Sequence, residues 1–406
     1  MPPDQTAVSM PPVSLKKGWL NRNVFGLGLG SLFGDWNYEM ASAVLPLFLS
    51  SVLHAPPAAL GIIEGVADGV STFFEVLAGW YSDRIGRRKG ITAFGYFIIG
   101  LSKASIALAA TWWHVLISRT TAWIGWSVKT PPRDALLVES TQPETVGRVF
   151  AFHRTMDTLG AIAGPLTATL LLAHVSVRTI FALCLIPGLC APLSIWLLVA
   201  EKPRAPQAKN PWQSLSSLPR DFMKFLVPVG LFGISNFAPT LLILRAENLL
   251  EPTRGAISAG TLAVGLYTLS NIVYALVSYP IGVLSDRYSK KAILSAGYLL
   301  FGLLCFGFIF VSGQLPSLAL LFALSGIYTA IIESSQPALA STLIDENQHG
   351  TGFGLMSAVD GVGDFFSSII VGLLWTYLAP GAGFMFGALL AFCAAAILSA
   401  IRLDKR

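Results

Sequence analysis

Charge is what this chain lacks. Only 12% of its 406 residues are Asp, Glu, Lys or Arg, where a soluble domain carries about 25%. Most of such a surface never meets water, which excludes a soluble globular protein, and the mean hydropathy of +0.65 agrees. Cysteine is scarce as well. Cys184, Cys190, Cys305 and Cys393 sit in apolar runs without C-x-x-C spacing, which makes them packing residues rather than disulfides or metal ligands. No Ser/His/Asp grouping, phosphate-binding glycine loop or zinc spacing appears, so an enzyme is not expected and no cofactor is implied. The net charge of +5 comes from basic residues clustered at the ends of apolar runs, a pattern that does not point to nucleic acid as a partner. The tail before Lys16 is polar and Pro-rich. It lacks the charged start and short apolar core of a signal peptide, so the first apolar run is expected to stay as a membrane anchor.

Apolar sequence is abundant, at 54%. Segments of roughly 20 residues, enough to cross ~30 Å of hydrocarbon, recur about twelve times. The first six lie near 24–50, 58–81, 91–111, 113–134, 148–173 and 178–199. The second six lie near 225–250, 257–281, 292–312, 316–340, 352–376 and 381–402. The expected fold is an all-α polytopic membrane protein of twelve transmembrane helices. Its expected divisions are a cytoplasmic tail (1–20), a six-helix bundle (21–200), a polar linker (201–223) and a second six-helix bundle (224–406). With the amino terminus inside, the inner segments hold about nineteen Lys and Arg and the outer loops about two, Arg178 and Arg254. That asymmetry places both termini in the cytoplasm.

The densest basic turn follows the second run, at Gly79-Trp80-Tyr81-Ser82-Asp83-Arg84-Ile85-Gly86-Arg87-Arg88-Lys89. A weaker copy is Gly282-Val283-Leu284-Ser285-Asp286-Arg287-Tyr288-Ser289-Lys290-Lys291, at a constant offset of 203, with Ser289 where the first copy has Gly86. The same offset aligns Gly147 with Gly350, Phe150 with Phe353, Asp157 with Asp360 and Asp68 with Asn271. A duplicated set of six helices suits a two-bundle transporter with its binding site between the repeats near mid-membrane. The G-x-x-x-D-R-x-G-R-R/K loop resembles the signature of the major facilitator superfamily of secondary transporters, and the resemblance covers nearly the whole chain. It implies alternating access in a bacterial inner membrane, as a monomer in the lipid bilayer. It also implies a gating role for Gly79, Asp83, Arg84, Gly86, Arg87 and Arg88, and for Gly282, Asp286 and Arg287 in the copy. The competing reading is that these charges only enforce topology. Arg133-Asp134 and Glu144 with Arg148 read as latches between helices near the first loop.

Ionisable side chains inside the membrane cost several kcal/mol, from about 2.5 upward, so each must face a cavity or a partner. Asp35 and Glu39 lie one turn apart on helix one, with Asp35 about 16 Å from the inner end at ~1.5 Å per residue. Helix two carries Glu64, Asp68 and Glu75; helix three Lys103; helix four Arg119 and Lys129; helix five Arg154 and Asp157. The second half offers Asn236, Arg245, Glu333, Asp360 and Asp364. Two readings stay open: structural pairs, such as Arg154 with Asp157, or a transport site. The expected substrate and proton site comprises Asp35, Glu39, Asp68, Arg119, Arg154, Asp157, Asn236, Glu333 and Asp360.

Further stretches, among them Asp35-Trp36-Asn37-Tyr38-Glu39-Met40 and Lys129-Thr130-Pro131-Pro132-Arg133-Asp134, are similar to a bacterial facilitator subgroup that includes nickel-resistance exporters. That similarity implies efflux of a small cation such as a divalent transition metal, and the expected coupling is to protons. By their chemistry Asp35, Glu39 and Asp68 could supply oxygen ligands to such an ion and His153 a nitrogen, although a lone His near the inner end of helix five is more often a capping or packing residue. The chain lacks the His-rich carboxyl tail common in those exporters, ending Arg402-Leu403-Asp404-Lys405-Arg406. The same acids would suit an exporter of drugs or organic cations, or a proton-coupled importer of a small organic solute. A membrane sensor without turnover is the reading from a different class.

Overall fold

The computed structural model describes residues 19–85, 87–141, 145–201, 218–344 and 349–402. Those residues fold into fourteen α-helices with no strand among them. The first half comprises α1 (Arg22–Leu47), α2 (Pro57–Ile85), α3 (Lys89–Ser105), α4 (Trp112–Glu139), α5 (Val146–Leu172), α6 (Val177–Leu183) and α7 (Leu185–Leu198). The second comprises α8 (Arg220–Ser235), α9 (Pro239–Arg254), α10 (Ala256–Arg287), α11 (Lys290–Phe310), α12 (Leu315–Ala340), α13 (His349–Tyr377) and α14 (Pro380–Ala400).

Fourteen helices make twelve crossings because α6 and α7 share one span, as do α8 and α9. The second break has a clear cause. Pro239 opens α9 without a backbone N–H, and Asn236 leaves the helical region with ψ 88. Pro131 and Pro132 do not end α4, which continues to Glu139; neighbouring helices make such prolines tolerable in a membrane span. Among the described residues nine spans are long and apolar enough to cross a bilayer by composition. Two helices described along their whole length fall short, α1 and α4, which carry Asp35, Glu39 and Arg119. Their polar content is the mark of an inward face.

Helix ends converge on one face. Asn21 Nδ2 donates to Ser140 O at 2.6 Å, Asn23 Nδ2 to Ala200 O at 2.8 Å, and Lys291 Nζ to Ser399 O at 2.9 Å. This terminal face also carries the loop after α2. Helix α8 already begins at Arg220, three residues before the linker was expected to end. Most of that linker, 202–217, lies outside the described residues, as does nearly all of the tail.

The two six-span bundles meet along α2 with α13 and α5 with α10. On the distal face, away from the chain ends, that seam is tight. A Cβ on Gly61 would lie 2.2 Å from the Ser368 carbonyl oxygen, and one on Gly65 would lie 2.5 Å from that of Phe365. Only glycine permits helices to approach this closely. Further out, Ala58 N donates to Thr376 Oγ1 at 2.8 Å, and Ser50 donates to Glu247 between α1's extension and α9. That extension, Phe48–Val52, is a π-helical turn.

The halves differ in filling. The second is built on stacked aromatics, with Phe232 and Tyr298 rings 4.0 Å apart, Phe301 edge-on to Phe232, and Phe237 tilted against Phe301 and edge-on to Phe384. The first holds buried Glu64, Lys103, Arg119, Lys129 and Arg133. The duplication preserved the frame, while most of the ionisable groups sit in one half.

Candidate functional site

Between the bundles lies a cavity of about 480 Å³. Its walls come from α1 (Asp35, Tyr38, Glu39), α2 (Glu64, Asp68), α4 (Arg119, Trp123, Trp126), α5 (Arg154, Asp157) and, across the seam, the α8–α9 break, α10, α12 and α13. The contacts of Gly61, Ala58 and Ser50 close it distally. Toward the terminal face it opens, where the side chains of Arg154 and Glu333 are 58% and 45% exposed.

Arg119 organises the deep end. Its Nε and Nη2 both donate to Glu64 Oε2, at 3.1 and 2.8 Å, while Nη1 donates to Ser42 Oγ at 2.7 Å and Nη2 to Tyr38 Oη at 2.9 Å. Both side chains of this ion pair are 3% exposed or less. The Tyr38 ring lies under two cations, with Lys103 Nζ 4.0 Å and the Arg119 guanidinium 4.8 Å from its centre. Trp123 and Trp126 meet Tyr38 at 5.6 and 5.3 Å.

The acids of α1 are both turned inward, as their one-turn spacing requires. Glu39 accepts from the Tyr267 hydroxyl at 2.9 Å, a bond that joins the two bundles. Asp35 Oδ1 is buried with no hydrogen-bond partner. Asp68 lines the cavity from α2 and Asp364 from α13. Among the described residues none of these four carboxylates has a cation within ion-pair distance.

Several expectations need correction. Arg154 does not pair with Asp157. It bonds Glu333 of α12 and the Tyr274 hydroxyl of α10, because the side chain leaves α5 toward the opposite bundle. Asp157 instead accepts from Ser31 of α1 and lies 3.4 Å from His153 Nδ1. Asp360 is not in the cavity wall: Gln336 Nε2 donates to it at 2.7 Å, inside the second bundle. Asp364, one turn along, takes the cavity position. Asn236 is in the wall, at the helix break. The four residues expected to ligate a metal are separated, since His153 faces Asp157 and not the cavity. Among the described residues no three His, Cys, Asp or Glu side chains converge as ligands.

Of the gating residues, Gly86 and the side chains of Asp83, Arg84 and Asp286 lie outside the described residues, as do the surroundings of Gly79. Arg88 ion-pairs with Glu139, and its backbone N–H meets Glu201; these contacts tie the loop to the ends of α4 and α7 within the first bundle. Arg133 and Asp134 pair with each other on α4, at 2.8 Å, and not between helices. Arg87, Arg148 and Arg287 are exposed, and nothing lies within 4 Å of a Cβ placed on Gly282. Glu144 is outside the described residues.

Tyr267, Tyr274 and the distal Glu247 did not stand out in the sequence. One signal existed for the first: Tyr267 lies 203 residues after Glu64, so the repeat places it at the pseudo-equivalent position.

Two bundles of six spans around a central polar cavity define a secondary membrane transporter. A profile of the Major Facilitator Superfamily matches residues 27–245 and 222–406. An uncharacterized MFS-type transporter, MJ1317 of Methanocaldococcus jannaschii, is 32% identical over 382 residues, 93% of this chain and 94% of that protein. The chain belongs to the Major Facilitator Superfamily. It is also 25% identical over 304 residues, 72% of each chain, to the multidrug resistance protein MdtH of Edwardsiella ictaluri. The fold matches the nucleoside transporter NupG with a TM-score of 0.74 at 14% identity, covering 93% of this chain and 97% of that one.

Proposed function

We propose that this protein is a proton-coupled exporter of organic cations, working by alternating access in the bacterial inner membrane with its terminal face in the cytoplasm. One observation carries the reading. Seven carboxylates line the cavity against two guanidiniums, and each guanidinium already faces an acid of its own. A surplus of acid in a low-dielectric chamber must hold protons or a cation. Tyr38, Trp123, Trp126, Tyr267 and Tyr274 add ring faces that attract a desolvated cation, and the volume falls in the range of drug-sized ligands.

The Arg and Lys bias supports the orientation, and the similarity to a multidrug resistance protein supports export. The absence of a converging trio of ligands among the described residues weighs an organic cation above a divalent metal. In this mechanism the substrate enters from the terminal face, binds among the acids around Asp35, Glu39 and Asp68 in exchange for protons, and leaves distally after the α2–α13 seam opens.

Everted vesicles with an acidic interior provide the test. Addition of tetraphenylphosphonium is expected to dissipate the pH gradient in vesicles containing the protein and not in those containing Asp35→Asn. Dissipation by nickel, cobalt or zinc alone, with organic cations inert, would overturn the choice of substrate.

A further inference from the structure

Lys129 lies behind the cavity wall and has no part in the mechanism so far. It is fully buried, at 0% exposure, and its Nζ has no hydrogen-bond partner. Two rings hold it instead, with Trp126 at 3.7 Å and Tyr96 at 4.5 Å from Nζ to ring centre. Glycine makes the box possible: a Cβ on Gly95 would lie 2.7 Å from the Lys129 Cβ. On the other side, a Cβ on Gly34 would lie 2.5 Å from the Tyr96 ring. Tyr96 therefore rests against the turn of α1 that carries Asp35, while Trp126 forms part of the cavity wall.

Two buried groups of opposite charge thus lack hydrogen-bond partners, the Lys129 amine and Asp35 Oδ1, and the Tyr96 ring links the helix turns that carry them. The ionisable groups acting on Lys129 are Asp35 from α1, Arg133 and Asp134 from α4, and Asp157 from α5. Tyr96 faces it from α3, and His153 stands beside Asp157. Aromatic faces stabilise an ammonium but cannot accept its N–H bonds as oxygen does. The charge on Lys129 therefore depends on a bare carboxylate nearby: Asp134 is paired with Arg133 and Asp157 accepts from Ser31, whereas Asp35 lines the cavity with one oxygen unpartnered.

We propose that Lys129 carries the exchanged proton, holding it while Asp35 is bare and releasing it when a cation occupies Asp35. The inference rests on the organic-cation reading. In the release step an Nζ–H bond breaks, its electron pair stays on nitrogen, and the proton passes to cavity water. When the cation leaves, the amine takes a proton back. One positive charge near Asp35 thereby excludes another, which is the reciprocity that antiport requires.

The test uses the full chain in nanodiscs. Binding of tetraphenylphosphonium is measured by calorimetry in buffers of differing ionisation enthalpy, which counts protons released. The wild type is expected to release about one proton per cation bound, and Lys129→Met to bind several-fold more tightly with most of that release gone. Equal release from both proteins would overturn the proposal. A second arm needs no ligand: tryptophan fluorescence is followed against pH in wild type, Lys129→Met and Trp126→Phe. A pH step present in wild type and lost in both variants supports proton binding at Lys129; a step that survives in Lys129→Met overturns it. If tetraphenylphosphonium does not bind the wild type, the substrate reading fails, and this second arm still decides whether Lys129 titrates.

Discussion

Removal of Glu64 should be the most costly single change in the cavity wall. Arg119 and Glu64 are 3% and 2% exposed, and two N–H groups of the guanidinium converge on one carboxylate oxygen. Ser42 and Tyr38 take the remaining described bonds but supply no negative charge. Glu64→Leu would leave a guanidinium without its counter-charge inside a membrane bundle. Breaking a buried pair by removing one partner costs about 3–5 kcal/mol, whereas replacing both partners by apolar groups of similar volume is often close to neutral. Glu64→Leu with Arg119→Met should therefore recover at least ~2 kcal/mol relative to the sum of the single changes. Equilibrium unfolding by SDS in mixed micelles gives the cycle directly. Additivity within about 0.5 kcal/mol would show that the two side chains are not energetically coupled, and the argument built on their contact would fall.

Other contacts lend themselves to similar tests. Gly61→Val should force α2 from α13, since a Cβ there would lie 2.2 Å from the Ser368 carbonyl oxygen. Cysteines at Ala58 and Thr376 should cross-link readily in the parent background and poorly with the valine present. Ser50→Ala should weaken distal closure, because Glu247 is 1% exposed and its Oε2 already lacks a partner. A cost of about 1–3 kcal/mol is expected for an acid left unsatisfied, read as faster maleimide labelling of a cysteine placed at His54. The Arg154–Glu333 pair is about half exposed, so breaking it should change stability by less than about 1 kcal/mol. Arg154→Glu should nonetheless slow transport, and the added Glu333→Arg should restore it if the contact guides bundle closure.

How much could be read without coordinates differs from residue to residue. The spans were legible because the bilayer's demand is local: each stretch must satisfy its own backbone and hide its own charges, and both leave a mark in composition. The inward turn of Asp35 and Glu39 was legible for the same reason, since one-turn spacing places them on a common face whatever the neighbours are. The duplication was legible as a constant offset. It pointed to Asp360 through Asp157, and there it misled: Asp360 and Asp364 share a face of α13 one turn apart, and Gln336 of α12 takes the first while the second reaches the cavity.

The chain itself determined the number of crossings, the two halves and the acidic character of the first bundle, all consequences of the cost of charge in hydrocarbon. Which acid meets which base was decided only by the tertiary structure. Arg154 ignores Asp157 three residues away and joins Glu333, 179 residues on. Glu64 meets Arg119, Tyr267 crosses the seam to Glu39, and Lys129 rests between rings from two helices. A bilayer requires that every buried charge find compensation, but it does not say where; only the approach of packed helices brings a particular partner within reach.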